Sequence, residues 1–102
     1  MKPKFSLQPV LDYRHTRVEA LEVELSQLQS ESEKTLAFLE DQRTRRRSLL
    51  DELRGQQTGE IDFLMLNQMK TNLKATEARI LKTQALLREI DKAVNAKRAE
   101  MV

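Results

Sequence analysis

The chain has 102 residues, of which 33% are charged and only 4% are aromatic. One small domain fits this length, and a composition rich in charged and aliphatic residues is typical of long helices and coiled coils. The sequence contains no cysteine, which excludes disulfides and thiolate metal sites. No apolar run reaches the roughly 18 residues that a membrane span needs, and a net charge of +2 does not by itself indicate a nucleic-acid partner.

The first eleven residues are predicted to form an extended N-terminal arm. Phe5, Leu7 and Pro9 alternate with polar residues, which indicates an extended segment that lies on a surface. Proline is well placed just ahead of a helix or in its first turn, where its missing N–H costs nothing. We therefore expect the chain to become helical at about Pro9 or Asp12.

Two long helices are predicted, over residues 12–54 and 61–102, joined by a turn at residues 55–60. The only glycines, Gly55 and Gly59, bracket that turn. Apolar residues in both helices recur in alternating steps of three and four, as in the seam of a left-handed coiled coil. The pattern predicts an all-α fold, an antiparallel two-helix coiled-coil hairpin forming one domain. The predicted seam comprises Leu11, Arg14, Val18, Leu21, Leu25, Leu28, Ser32, Thr35, Leu39, Gln42, Arg46, Leu49 and Leu53, then Leu66, Met69, Leu73, Thr76, Ile80, Thr83, Leu87, Ile90, Val94, Lys97 and Met101.

The position of the turn predicts which residues face each other. Folding the chain back at residues 57 and 58 pairs positions whose numbers sum to about 115, so that Leu28 lies beside Leu87 and Met101 beside Arg14. The two arms would then match in length. Residues 19–41 hold seven acidic residues and one lysine, whereas residues 74–96 hold five basic and three acidic residues. Opposite charges of this kind would help antiparallel helices to select each other.

A basic run at residues 43–47 is the first candidate functional feature. Its arginines are Arg43, Arg45, Arg46 and Arg47. One interpretation is a solvated stretch paired locally with Glu40, Asp41, Asp51 and Glu52. Another is a docking patch whose charges steer an acidic protein surface into place. Nucleic acid is a weaker third alternative, because no aromatic residue interleaves with the arginines and an acidic stretch lies beside them.

Apolar residues near the turn are the second candidate feature. Leu50, Phe63 and Leu64 fall outside the predicted seam. They either close the end of the hairpin around the turn or form a partner contact, since contiguous exposed apolar surface usually marks an interface. Four further apolar residues raise the same question midway along the hairpin, namely Leu36, Phe38, Leu81 and Leu86.

Residue patterns typical of catalysis are missing from the sequence. His15 is the only histidine and has no second imidazole or thiolate with which to bind a metal. Neither glycine belongs to a phosphate-binding loop, because no Lys-Ser or Lys-Thr follows either of them directly. We therefore expect a protein that is not an enzyme and that holds no cofactor or metal.

The N-terminal segment resembles the start of FliJ-family proteins, coiled-coil components of the bacterial flagellar protein export apparatus. The family commonly begins with a phrase like Phe-x-Leu-x-Pro-Leu-Leu-x-Tyr-Arg. In this chain the corresponding residues are Phe5, Leu7, Pro9, Val10, Leu11, Tyr13 and Arg14. Beyond them the resemblance is one of architecture and composition over the whole chain.

The resemblance implies a stalk that acts through partners. A rod similar to the stalk of the rotary ATPase gamma subunit would enter or cap the ring of the export ATPase and promote its assembly and activity. It would also link the ring to the export gate and to substrate chaperones, in the cytoplasm and peripheral to the inner membrane. The candidate partner-binding residues are Arg43, Arg45, Arg46, Arg47, Phe63, Leu64, Phe5, Leu7, Tyr13 and Arg14, and the arginines are expected to steer docking onto acidic loops of the ring.

Family members usually continue further than this chain, which stops at Val102. The chain is then either a short member or lacks a C-terminal part that binds the gate or the chaperones. Two alternatives to the flagellar assignment stay open, a stalk protein of a virulence-type type III secretion system and a coiled-coil scaffold that associates with itself.

Overall fold

The computed structural model describes residues 8–55, residue 60 and residues 62–101. Helix α1 spans Gln8–Gly55 and helix α2 spans Phe63–Glu100, with 48 and 38 residues respectively. The two helices pack against each other as an antiparallel hairpin, which confirms the predicted fold class. Most of the predicted N-terminal arm, including Phe5 and Leu7, lies outside the described residues, as does most of the predicted turn, including Gly59.

The described ends of the helices are set by local chemistry. Pro9 is the second residue of α1, a position where its missing N–H is not needed and its fixed φ suits the helix. Residues 8–11, assigned to the extended arm from the sequence, are thus helical. Helix α2 begins after Asp62, whose Oδ1 accepts hydrogen bonds from the backbone N–H groups of Leu64 and Met65, both at 3.1 Å. This N-cap satisfies two of the donors that a helix start leaves open.

From Leu21 onward the predicted seam is the buried stripe of the hairpin, whereas its first three positions, Leu11, Arg14 and Val18, are exposed and were wrongly placed on it. Every predicted seam position of α2 is buried or half-buried, and so is the α1 run from Leu21 to Leu53 apart from Arg46. The most deeply buried apolar side chains lie on this stripe, among them Leu21 and Leu39, each 2% exposed. A two-helix hairpin covers only one such stripe on each helix, so burial follows the steps of three and four closely.

The two arms do not match in length, and the prediction that they do is wrong. Three ion pairs bridge the helices within the described residues: Arg17 to Glu100 at 3.2 Å, Glu24 to Lys97 at 2.9 Å and Arg46 to Glu77 at 3.4 Å. The residue numbers of these pairs sum to 117, 121 and 123 in the same order, above the sum of about 115 that the position of the turn predicted. Because α2 starts only at Phe63, its far end reaches about Val18, and residues 8–16 of α1 extend beyond it as a single helix.

The middle of the seam is polar, and most of its polar groups are satisfied within their own helix. Thr76 is fully buried and its Oγ1 donates to the carbonyl oxygen of Asn72 at 2.8 Å. The buried Thr83 donates in the same way to the carbonyl oxygen of Arg79. Such bonds need no partner across the seam. Gln42 differs, because its Oε1 is buried and accepts no hydrogen bond within the part of the chain that the structure describes.

Replacing Gln42 by leucine is expected to stabilise the hairpin by about 1 to 2 kcal/mol, because an unsatisfied buried amide oxygen is removed and apolar surface fills its place. Urea denaturation followed by circular dichroism measures the change. The matched control is Gln29→Leu at an exposed position, which should leave stability within about 0.5 kcal/mol of the starting protein. Equal stability of the Gln42 variant and the starting protein would show that the amide is satisfied.

Candidate functional site: interaction surfaces

Two flanks border the seam of the hairpin, and each carries a different set of side chains. Residues seven apart lie in one row along a coiled-coil helix. One flank, called here the arginine flank, has the row Leu36, Arg43 and Leu50 on α1. Its row on α2 consists of Phe63, Lys70 and Glu77. The pair between Arg46 and Glu77 places the two rows on the same side.

The opposite flank is called here the Phe38 flank. Its α1 row contains Glu31, Phe38 and Arg45. Across the seam, Phe38 shares a shallow groove with side chains of α2, and the residues lining the groove are Phe38, Arg79, Lys82, Thr83 and Leu86. Phe38 and Leu86 are 45% and 53% exposed, so this flank presents apolar surface midway along the hairpin.

The structure brings together three of the four predicted arginines. Arg43, Arg46 and Arg47 share a shallow cleft with Glu40 on the arginine flank, where Arg43 Nη1 lies 2.8 Å from Glu40 Oε1. Arg47 donates to Thr44 Oγ1 at 3.2 Å, and Arg46 pairs with Glu77 of α2. Arg45 lies on the other side of the helix, in the row of Phe38. The basic run is therefore two surfaces rather than one.

Only part of the local pairing expected for the basic run is found. Glu40 pairs with Arg43, but Asp51 lies 3.9 Å from Arg54 instead of pairing with the run. All of these pairs are at the surface, where an ion pair contributes little net stability. The positive charge of the arginine flank thus stays available to an outside partner.

The hairpin tip exposes apolar side chains at the start of α2. Phe63 and Leu64 are 75% and 70% exposed, whereas Leu66 and Leu50 are half-buried. Phe63 and Leu64 line a shallow cleft with Leu66, Asn67 and Lys70. Of the two interpretations of the predicted tip cluster, closing of the end fits Leu50 and Leu66, and an exposed contact surface fits Phe63 and Leu64.

The single-helix part of α1, residues 8–16, is called here the overhang. It exposes Val10, Leu11 and Tyr13, the last to 71%, and Arg14 is also exposed. His15 Nε2 lies 2.9 Å from Glu19 Oε1. The sequence did not predict the overhang because the predicted α1 began at residue 12 rather than Gln8, and because the predicted α2 began at residue 61. Asp62, a residue type favoured at helix N-caps, was the signal that could have placed that start later.

The pair of Glu24 and Lys97 is the one cross-helix contact with resolved pKa shifts. Lys97 Nζ lies 2.9 Å from Glu24 Oε2. The hydrogen bond and the positive charge of Lys97 lower the pKa of Glu24 below its ordinary value of 4.5. The hydrogen bond to Glu24 in turn raises the pKa of Lys97 above 10.5. This pair is also the only contact between the acidic stretch of α1 and a cation of α2 within the described residues.

The described surfaces offer contact area and charge rather than an enclosed site. No group of three His, Cys, Asp or Glu residues able to hold a metal occurs within the described residues. Neither described helix combines the length and the hydropathy that crossing a bilayer requires. The chemistry these surfaces support is recognition of a partner by apolar side chains and surface charges.

Comparison with known proteins adds no relative. No protein-family model matches the chain, no curated protein matches it, and no solved structure matches it.

The variant Glu24→Gln is expected to lose less of its free energy of unfolding than the starting protein when the pH is lowered. Because the pKa of Glu24 is lowered on folding, its ionised form stabilises the hairpin above the unfolded pKa, near 4.5, and this contribution is lost as the pH falls through the folded pKa. Urea midpoints between pH 6 and pH 3 should therefore fall less steeply for Glu24→Gln than for the starting protein. The control Glu89→Gln removes a pair within one helix and should keep the original slope. Identical slopes for all three proteins would contradict a role for Glu24.

Proposed function

We propose that this protein is a non-enzymatic stalk of the flagellar, type III protein export apparatus, which binds the export ATPase ring and promotes its assembly and activity. It also couples the ring to the export gate and to substrate chaperones. The proposal rests on the resemblance of residues 5–14 to the FliJ family together with the hairpin fold. The flagellar assignment, as opposed to a virulence-type secretion system, depends on that N-terminal segment.

One observation carries the proposal furthest. The described part of the family-like phrase, including Val10, Leu11, Tyr13 and Arg14, lies on the overhang, where its side chains are exposed among the described residues. A coiled coil does not need exposed valine, leucine and tyrosine side chains at its end for its own folding. Their exposure supports a role in contacting a partner.

Distance separates the overhang from the other candidate surfaces. Tyr13 and Arg43 lie 30 residues apart on α1, about 45 Å along the helix. At physiological salt, where the Debye length is about 8 Å, the charge of Arg43 is screened over that distance and does not influence a partner bound at Tyr13. The two surfaces are therefore too far apart to act as one site. We assign ring binding to the overhang, which carries the family-like phrase, in place of the arginines that the sequence predicts to dock onto the ring. The arginine flank and the tip residues Phe63 and Leu64 are assigned to an acidic partner at the other end, a gate protein or a chaperone.

The stalk acts by differential binding. ATP hydrolysis is performed by the ring, and this chain changes the rate only if its overhang binds one conformation of the ring more tightly than another. A rod of two packed helices is well suited to this role, because contacts at its two ends are held at a fixed separation by the seam.

The double variant Leu11→Ser/Tyr13→Ala is expected to lose most of the activation of the cognate export ATPase. Both side chains lie exposed on the overhang, and removing two apolar anchors should weaken ring binding about tenfold or more. Titration of the protein into the ATPase, with hexamer formation and ATP turnover as readouts, measures the loss. The control is Val23→Ser, which changes an exposed apolar residue further along α1. Failure of the unaltered protein to change either readout would overturn the proposed function.

The double variant Arg43→Glu/Arg47→Glu should leave ATPase activation unchanged and weaken binding to the cytoplasmic part of the gate protein or to a chaperone. Reversing two surface charges should raise the dissociation constant about tenfold and flatten its dependence on salt. Arg46 is kept, because it pairs with α2. Arg88→Glu/Lys92→Glu applies the same charge change elsewhere on α2 and should bind normally. Binding isotherms at several salt concentrations measure the effect, and equal losses in both double variants would remove the arginine flank from the site.

A further inference from the structure

The Phe38 flank is not used by the proposed stalk function, and its charges follow a regular order along α1. Going toward the hairpin tip, Glu31 and Lys34 precede Phe38, and Asp41 and Arg45 follow it. All four charged side chains are exposed. None of the four has an ionic or hydrogen-bond partner within the residues that the structure describes.

Within seven residues of Phe38 the order of these charges is antisymmetric, whereas the next members of the row, Glu24 and Glu52, have the same sign. Glu31 lies seven residues before Phe38 and Arg45 lies seven residues after it, with opposite sign. Lys34 lies four residues before and Asp41 three residues after, again with opposite sign. If two α1 helices packed antiparallel with their Phe38 residues side by side, each of these charges would face an opposite charge. A two-fold symmetric interface requires this kind of self-complementarity.

We propose that the Phe38 flank binds a second copy of this chain, so that two hairpins lie antiparallel with their α1 helices in contact. Phe38 of each copy packs at the two-fold axis, Arg45 faces Glu31 of the other copy, and Lys34 faces Asp41. Leu86 and Arg79 share a row on α2, so each Leu86 meets the aliphatic stem of Arg79 from the other copy.

A second copy accounts for features that the single hairpin leaves open. It covers the groove between Phe38 and Leu86, which is exposed in one chain, and it gives partners to four surface charges of each copy. The two Lys82 side chains lie near the axis and keep their ammonium groups in solvent at its edge. It also lies beside the polar middle of the seam, where Thr83 and Gln42 are buried in place of apolar residues. Apolar burial on the flank would therefore stabilise the part of the hairpin whose seam contributes least.

The first experiment uses sedimentation velocity on the full chain at micromolar to hundreds of micromolar concentration. The unaltered protein should form a dimer, and Phe38→Ser should raise the dissociation constant at least about tenfold. Leu36→Ser is the matched control, since Leu36 is 47% exposed but lies on the arginine flank. A chain that stays monomeric throughout, or equal effects of both variants, would overturn the proposal.

The second experiment tests the pairing of charges. Glu31→Arg and Arg45→Glu, studied singly, each place like charges opposite each other in a symmetric dimer and should be monomeric where the unaltered protein is dimeric. An equimolar mixture of the two variants restores opposite charges on both sides and should dimerise again. Circular dichroism of each variant checks that the helices are intact. A mixture that stays monomeric would refute the antiparallel pairing.

A carbodiimide cross-link on the unaltered protein gives a third measurement. In the proposed dimer the Lys34 amine and the Asp41 carboxylate of different copies are in contact. Peptide mapping of the covalent dimer should therefore identify an amide between these two residues. A covalent dimer joined only at other positions would contradict the proposed alignment.

Discussion

The whole structure depends on the burial of one narrow apolar stripe between two helices. Neither helix has a second neighbour within the described residues, so each covers only the side chains that face the seam. The seam apolar residues, such as Leu21, Leu39 and Ile90, lose most of their exposed surface, and this burial is the main favourable term that aligns the helices. Apart from the half-buried Leu50, the large apolar side chains of the described residues that lie off the seam stay at the surface. This explains how a small protein can expose Phe38, Phe63 and Tyr13 at once.

The seam combines strong and weak stretches. Toward the open end of the hairpin, Leu21, Ile90 and Val94 are buried, and the pair of Glu24 and Lys97 flanks them. Toward the middle, Thr76, Thr83 and Gln42 take the place of large aliphatic side chains. The threonine hydroxyls bond within their own helix, so they tolerate burial but add little specificity across the seam. Alignment of the two helices is thus defined mainly by the aliphatic layers.

Sequence reasoning predicts the seam well and its alignment poorly, for a physical reason. Burial along a coiled coil depends on spacing alone, so steps of three and four identify positions such as Leu39 and Met69. Alignment depends on where the second helix begins, and α2 begins after Asp62, whose carboxylate accepts hydrogen bonds from the N–H groups of Leu64 and Met65. The sequence is sufficient to predict that the arginines lie on two flanks. Arg43 and Arg45 are two residues apart and therefore point in different directions on a helix. The overhang was not predicted, because it follows from the alignment.

The unequal lengths of the helices give the open end of the hairpin a stepped profile. Over residues 8–16 the described part of the chain is a single helix, about 10 to 12 Å across with its side chains. Beyond that, where Glu100 of α2 pairs with Arg17, it becomes about twice as wide. Within the described residues the step lies about 13 Å along α1 from its first residue, a length given by the nine residues of the overhang.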